Sequence, residues 1–398
     1  MSRYLEEVAS RLVSCDTVST KSNTEATEYL GDHLESHGFR VAYQRSEIAE
    51  VAKVNLIACA GPPEPDGLII SGHIDVVPFT GQPGWQRDPL RLEVTDDRVY
   101  GRGTSDMKVF LAQCVDAAAQ LNVATLKRPL AFVFTADEEI GCLGAARLLP
   151  ALPEYFQDIP QPRSAWIGEP TSYRVFHTHK GVVIFTLKVQ GRGGHSSVPE
   201  QGVNAIAVMG KAIETIGRYQ AELRTQRSAT FAQIFPESPY TTLNFGSVRG
   251  GTAANMIAEE SALQVSYRPL PQADPLEAYR EMVRRLQAID ARDYGSPDHR
   301  ATIECSEPLT VQPLLSPRET PLEGVLFGLL NQHTSGGAPF ATDGGEFARA
   351  GITSLICGPG DLEQAHQPNE NIRRAAFENG THTVLAVVNR MCGAEVKG

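Results

Sequence analysis

Several segments of this 398-residue sequence place histidines or carboxylates directly after short apolar runs. The run at 68–70 leads into Ser71-Gly-His73-Ile-Asp75. A histidine two residues before an aspartate can ligate a cation through one ring nitrogen while the carboxylate holds the other N–H and fixes the tautomer. The run at 130–134 leads into Thr135-Ala-Asp-Glu138-Glu139, and three consecutive carboxylates after a buried strand are costly unless water or a cation neutralises them. A third run ends Trp166-Ile-Gly-Glu169-Pro, and a fifth segment, after 352–357, carries His366 in an irregular loop. Between them, Tyr100-Gly-Arg-Gly-Thr-Ser-Asp106-Met-Lys sets an aspartate beside a helix start. Each motif alone has a plain structural alternative: a hydrogen-bonded pair, an exposed acidic turn, a helix N-cap. Together, two imidazoles and several carboxylates without a thiolate form the ligand set expected of zinc, cobalt or manganese in a hydrolytic site. If one carboxylate bridges two ions about 3.5–4 Å apart, the pair can lower the pKa of water toward about 7, polarise a carbonyl and stabilise a tetrahedral intermediate. A spare glutamate beside a ligand can then carry the water's proton to a leaving nitrogen.

Such residues need a scaffold, and the periodicity supplies one. Apolar runs at 68–70, 130–134 and 165–167 predict buried strands, and Phe110, Leu111, Cys114, Val115 and Ala118 recur at helical spacing over 107–121. Strand and helix in alternation predict an α/β sheet layered with helices, whose ligands sit outside the carboxyl ends of the strands. After Lys180 the pattern changes. Strands are predicted at 183–189, 242–248, 262–267 and 301–305, with helices over 204–216 and 275–289, the order β-α-β-β-α-β of a ferredoxin-like domain. Past Pro313 the first pattern returns, with a helix over 322–332, a glycine-rich loop over 335–345, a strand at 352–357 and a last helix over 372–391. The expected boundaries are a first catalytic part at 1–179, an inserted domain at 180–310 and a second catalytic part at 311–398.

The bulk numbers narrow the function classes. A chain of this length is expected to form two domains. A net charge of −11 argues against nucleic acid and anionic membranes as partners. The apolar runs are far shorter than the roughly 20 residues of a membrane span, and the acidic start predicts no signal peptide and a cytoplasmic protein. Seven single cysteines with no CxxC pair suit a reducing compartment rather than a disulfide framework.

The segments Gly72-His73-Ile-Asp75, Tyr100 to Lys108, Thr135 to Glu139, Ile167-Gly-Glu169-Pro-Thr, Gly194-His195-Ser-Ser and Ala365-His366-Gln-Pro resemble, in order, the motifs of the dinuclear zinc aminoacylase and carboxypeptidase family. The resemblance covers nearly the whole chain. It implies a zinc-peptidase-like α/β catalytic domain with an inserted ferredoxin-like α+β lid and dimerisation domain. It implies two Zn2+ per subunit, with Co2+ as a substitute, one held by His73, Asp106 and Glu169 and the other by Asp106, Glu139 and His366. Asp106 would bridge, Asp75 would orient His73, Glu138 would be the general base, and the Asp106-Met107 peptide would be cis. It further implies a homodimer in which His195 reaches the partner's site and stabilises the oxyanion, with Arg268 and Asn255 on the substrate carboxylate. Two positions before Arg268, where relatives often carry an acid, this chain has Ser266.

The stretches Gly168-Glu-Pro-Thr-Ser172, His179-Lys-Gly181, Gly202-Val-Asn-Ala-Ile206, Arg268-Pro-Leu-Pro271 and Gln364-Ala-His-Gln-Pro368 resemble the members that deacetylate N2-acetyl-L-ornithine in arginine biosynthesis. Desuccinylases carry an arginine in the loop around 335–346, where this chain offers Asp343 and Glu346; one of these acids is expected to meet the substrate's side-chain ammonium, a solvated loop acid being the alternative. The competing readings are another N-acyl-amino-acid hydrolase (a desuccinylase, an acetylcitrulline deacetylase or a broad aminoacylase) and a non-catalytic, metal-binding dimeric protein. A serine hydrolase would need a Gly-x-Ser-x-Gly elbow that the chain lacks.

Overall fold

A computed structural model describes residues 2–289 and 300–397. These form two compact units, Met1–His179 with Leu314–Gly398, and Lys180–Pro313.

The first unit is built on a nine-stranded sheet. Its centre is parallel: Leu68–His73 lies between Leu130–Thr135 and Ser164–Ile167, and Thr353–Ile356 pairs with Ser164–Ile167 in turn. Along these strands, alternate residues enter two separate cores. Leu68, Ile70, Leu130, Phe132 and Phe134 join one with the helices Arg3–Ser14, Lys108–Gln120 and Arg374–Cys392. Ile69, Ala131, Val133 and Ala165 join the other, with the helices Leu143–Leu148 and Gly344–Arg349. A sheet covered on both faces needs apolar residues at every position, which is why its central strands read as unbroken apolar runs. The strands' carboxyl ends are thereby fixed by two cores at once. The antiparallel hairpin Arg40–Ile48 and Val51–Ala60 extends one edge and pairs with Leu130–Thr135.

The second unit has the strand and helix order expected of a ferredoxin-like domain: Val182–Gln190, Ala205–Thr225, Thr242–Gly250, Glu260–Arg268, Glu277–Gln287 and Thr302–Cys305. Its antiparallel sheet runs fourth, first, third, second strand across, with the additional strand Leu309–Val311 beside the first. Both helices pack into a core of Val183, Phe185, Leu187, Leu263, Val265, Val208, Ala212 and Met282.

Three details differ from the sequence reading. The edge hairpin at 40–60 lies outside the strands expected from the sequence: its outer strand Arg40–Ile48 is largely polar, while its inner strand Val51–Ala60 carries the buried apolar run Leu56 to Ala60. The helix expected over 204–216 extends to Thr225. The glycine-rich stretch at 335–345 is not a free loop: Gly336–Ala338 pairs with Phe176–His179, and Asp343 directly precedes a short helix, Gly344–Arg349. Among the described residues no helix is long and apolar enough to cross a membrane, and all seven cysteines are free thiols.

Candidate metal centre

Asp106 is the centre of the arrangement. One carboxylate oxygen, Oδ1, lies 3.0 Å from His73 Nε2, and the other, Oδ2, lies 3.3 Å from His366 Nε2. His366 Nε2 also stands 3.1 Å from Glu139 Oε2. Ligand atoms of His73, Asp106 and Glu139 all lie within 4.8 Å of one another, close enough to share a metal ion. The Asp106-Met107 peptide is cis. Met107 is buried against Gly72, where a Cβ would stand 2.4 Å from its methyl carbon and would push that side chain aside.

His73 is anchored by its other ring nitrogen, but not as expected. Nδ1 lies 2.9 Å from the main-chain carbonyl of Asp75, whereas the nearer oxygen of the Asp75 carboxylate is 3.8 Å away. That carboxylate has other partners. It accepts the Ser19 hydroxyl at 2.7 Å and the main-chain N–H groups of Glu138 at 3.0 Å and Glu139 at 3.2 Å. Asp75 thus holds the turn that carries two other candidate site residues, and it orients His73 through its backbone.

The three acids of that turn are sorted into different surroundings. Asp137, in the left-handed region at φ 57°, is ion-paired with buried Lys53 at 2.7 Å and with Arg147 at 2.8 Å. Glu139 points to His366. Glu138 points the other way, 3.4 Å from the Cys142 thiol, and groups with Cys142 and Asp343, their polar atoms within 4.8 Å of one another.

The electrostatics define what the cluster lacks. Burial, with Glu169 next, pushes the Glu138 carboxyl well up; burial and Asp106 do the same to Glu169 and raise Glu139. Glu169 is 4% exposed, and its Oε1 has no hydrogen-bond partner among the described residues. Hydrogen bonds donated to Asp106 and Glu139 raise His366 to about 10. Buried acids crowded so tightly, one with an idle oxygen, call for positive charge. Two imidazoles and three carboxylates supply the nitrogen and oxygen donors that a borderline divalent ion takes.

The other expected residues fall in two groups. Asp343 and Glu346 belong to the first unit but are not solvated loop acids. Asp343 is 1% exposed and Glu346 2%. Glu346 is ion-paired with Arg349 at 2.8 Å. Asp343 Oδ2 accepts from the Thr135 hydroxyl at 2.6 Å, while its Oδ1 has no partner among the described residues, and burial raises its carboxyl to about 6. In the second unit His195 and Asn255 share a short ribbon: His195 pairs with Met256, and the Ser196 N–H bonds to the Asn255 carbonyl at 3.1 Å. His195 is exposed, and its Nδ1 accepts the Ser197 N–H at 3.2 Å, which puts the neutral ring's proton on Nε2. Arg268 ends the strand Glu260–Arg268, opposite Thr242, also exposed.

The sequence reading did not single out the buried pair Arg102 and Glu370 at 2.7 Å. Glu370 accepts the main-chain N–H groups of Ser105 at 2.9 Å and Asp106 at 3.0 Å.

Known proteins resemble this chain along nearly its whole length. Acetylornithine deacetylase of Erwinia tasmaniensis is 34% identical over 393 residues, 98% of this chain and 97% of the relative. The enzyme of that name from Proteus mirabilis is 33% identical over 397 residues, 98% and 96% of the two chains. Among solved structures, an M20 family metallo-carboxypeptidase from Sulfolobus solfataricus superimposes with a TM-score of 0.74 at 18% identity, covering 98% of this chain and 99% of that one. A dinuclear metal-binding M20 peptidase from Bacillus subtilis gives 0.64 at 17%, covering 96% and 97%. The profile of Peptidase family M20/M25/M40 matches residues 69–390, and the chain belongs to that family.

Proposed function

We propose that this chain is a metal-dependent amidohydrolase that cleaves N2-acetyl-L-ornithine to L-ornithine and acetate, a step of arginine biosynthesis, in the cytoplasm. The observation that carries the substrate is the similarity, over almost the whole length of both chains, to relatives named acetylornithine deacetylase. The free thiols suit a reducing compartment.

In this reading His73, Asp106 and Glu169 would hold one Zn2+ and Asp106, Glu139 and His366 the other, with Co2+ able to substitute. The placement of the Asp106 oxygens toward the two histidines supports the bridge. When bound, the ions supply Lewis acidity and a water activated near neutral pH. Glu138 takes that water's proton as the oxygen adds to the acetyl carbon. It then delivers the proton to the ornithine nitrogen as the C–N bond breaks, leaving acetate and the free amine. Burial beside Glu169 raises the proton affinity of Glu138, as a base working near neutrality requires. Asp75, through the N–H groups of Glu138 and Glu139, keeps the base and the ligand aimed in opposite directions.

The protein acts as a homodimer in this reading, with the partner's His195 donating Nε2–H to the developing oxyanion. Arg268 and Asn255 take the substrate's α-carboxylate. Of the two acids weighed for the ornithine ammonium, Asp343 keeps the role, since Glu346 is committed to Arg349.

A steady-state panel of N-acyl amino acids with Zn2+ or Co2+ tests the reading. N2-Acetyl-L-ornithine should have the highest kcat/KM, above N-acetylmethionine and N-succinyl-diaminopimelate. Preference for the succinyl substrate would move the protein to another branch of the family, and hydrolysis of none would leave a non-catalytic metal-binding protein.

A further inference from the structure

Two candidate ligands far apart in the chain, Asp106 and His366, are tied by one relay of hydrogen bonds. Glu370 grips the Asp106 side by accepting the N–H groups of Ser105 and Asp106. The opposite oxygen of Glu370 accepts from Arg102 Nη1 at 2.7 Å. Arg102 then donates from Nη2 to Gln82 Oε1, also at 2.7 Å. That same Gln82 oxygen accepts the Trp85 indole N–H at 3.0 Å, and the Trp85 ring lies 5.0 Å from the guanidinium. With its oxygen taken by two donors, the Gln82 amide can face only one way, and its Nε2 donates to the main-chain carbonyl of His366 at 2.8 Å.

His366 needs such a hold. Its backbone sits in the left-handed region at φ 62°, which a histidine adopts at a cost, and its side chain is 52% exposed. Asp106, by contrast, is packed into the unit. Arg102 and Glu370 are each 1% exposed, and two charges are buried this deeply only when paired and hydrogen-bonded. A guanidinium fork serves both partners at fixed angles, which a single ammonium does not.

We infer that Glu370, Arg102 and Gln82 are positioning residues that set the separation of Asp106 and His366, and so determine the affinity of the second ion without touching it. The inference rests on the ligand reading above and concerns one ion only. Asp106 would serve both ions but His366 only one, and His73 and Glu169 make no contact with the relay among the described residues, so loss of the Gln82 link to His366 falls on the ion that His366 would hold.

Cobalt titration of the metal-free protein, followed by visible absorption and by metal content after dialysis, tests this. The native protein should take up two equivalents. Gln82→Leu removes the link to His366 while leaving the buried Arg102–Glu370 pair in place. It should weaken one equivalent by about 10- to 100-fold, the usual cost of losing an outer partner of a ligand, and leave the other unchanged. Arg102→Lys keeps Glu370 paired but cannot serve both carboxylate and amide, and should show the same selective loss. Thermal melting of the metal-free variants checks that both remain folded; should Arg102→Lys not fold, Gln82→Leu decides. Uptake of two equivalents at native affinity by Gln82→Leu overturns the inference, as does equal weakening of both. A native protein that binds fewer than two ions overturns the ligand reading, and this inference with it.

Discussion

The two units carry their candidate residues in opposite ways. In the first, His73, Asp75, Asp106, Glu169 and Asp343 are each at most 7% exposed, and the side-chain polar atoms of His73, Asp75 and Asp106 are held by other parts of the same unit. In the second, His195, Asn255 and Arg268 stand on exposed strand ends and ribbons. Candidate ligands that must hold a geometry are built into a sheet covered on both faces; the second unit's residues proposed to meet a substrate or a second chain stand exposed. Substitutions in the first unit should therefore disturb activity and stability together, and those in the second should change activity alone.

The largest effect is expected from removing the cation. A chelator should abolish hydrolysis, and Zn2+ or Co2+ should restore it; full turnover by metal-free protein would discard the reading of the first unit as a metal centre. Next comes Glu138→Gln, which keeps the size and the main-chain bonds to Asp75. It should lower kcat on the order of 10²–10⁴-fold, the typical worth of a general base, with the metal content unchanged. Near-native turnover would mean that the base lies elsewhere.

His195→Ala makes the contrast quantitative. Loss of an oxyanion donor costs on the order of 10²–10³ in kcat, while an exposed substitution changes stability by less than about 0.5 kcal/mol. A large fall in melting temperature would show that His195 has a structural role instead. Asp75→Asn should behave in the opposite way. Its amide nitrogen cannot accept, so a buried N–H of Glu138 or Glu139 loses its partner, at a cost of about 1–3 kcal/mol. Melting temperature and kcat should fall together. A lowered kcat with unchanged melting temperature would remove the distinction between the units.

The same contrast governs what could be read from the sequence. His73, Glu138, Glu139 and Glu169 were legible because an apolar run ends just before each, and a run that deep marks a strand whose end faces a crevice. The second unit's β-α-β-β-α-β order was legible from its alternation. What escaped is what depends on distant partners. Glu370 meets Asp106 across 264 positions and Gln82 meets His366 across 284, so no local pattern announces either. Asp75 stood in the right motif, but its carboxylate turns to Ser19 and the Glu138–Glu139 turn, a choice fixed by the packing of three separate segments. Asp343 and Glu346 looked like loop acids amid glycines, yet those glycines form a strand pairing and the start of a helix that draws both acids inward.

Arg268 gives the smallest effect and the sharpest check on the second unit. It ends a central strand, in register with Thr242, and no carboxylate among the described residues pairs with it. Partial burial lowers its pKa, but a guanidinium remains charged at any working pH. An exposed cation without a carboxylate partner, presenting a planar fork, is suited to bidentate capture of a carboxylate. Arg268→Lys keeps the charge and loses the fork, so KM for N2-acetyl-L-ornithine should rise about tenfold, the worth of roughly 1.4 kcal/mol, with kcat within a factor of about two. A fall in kcat at constant KM would instead place Arg268 with groups that act only in the transition state.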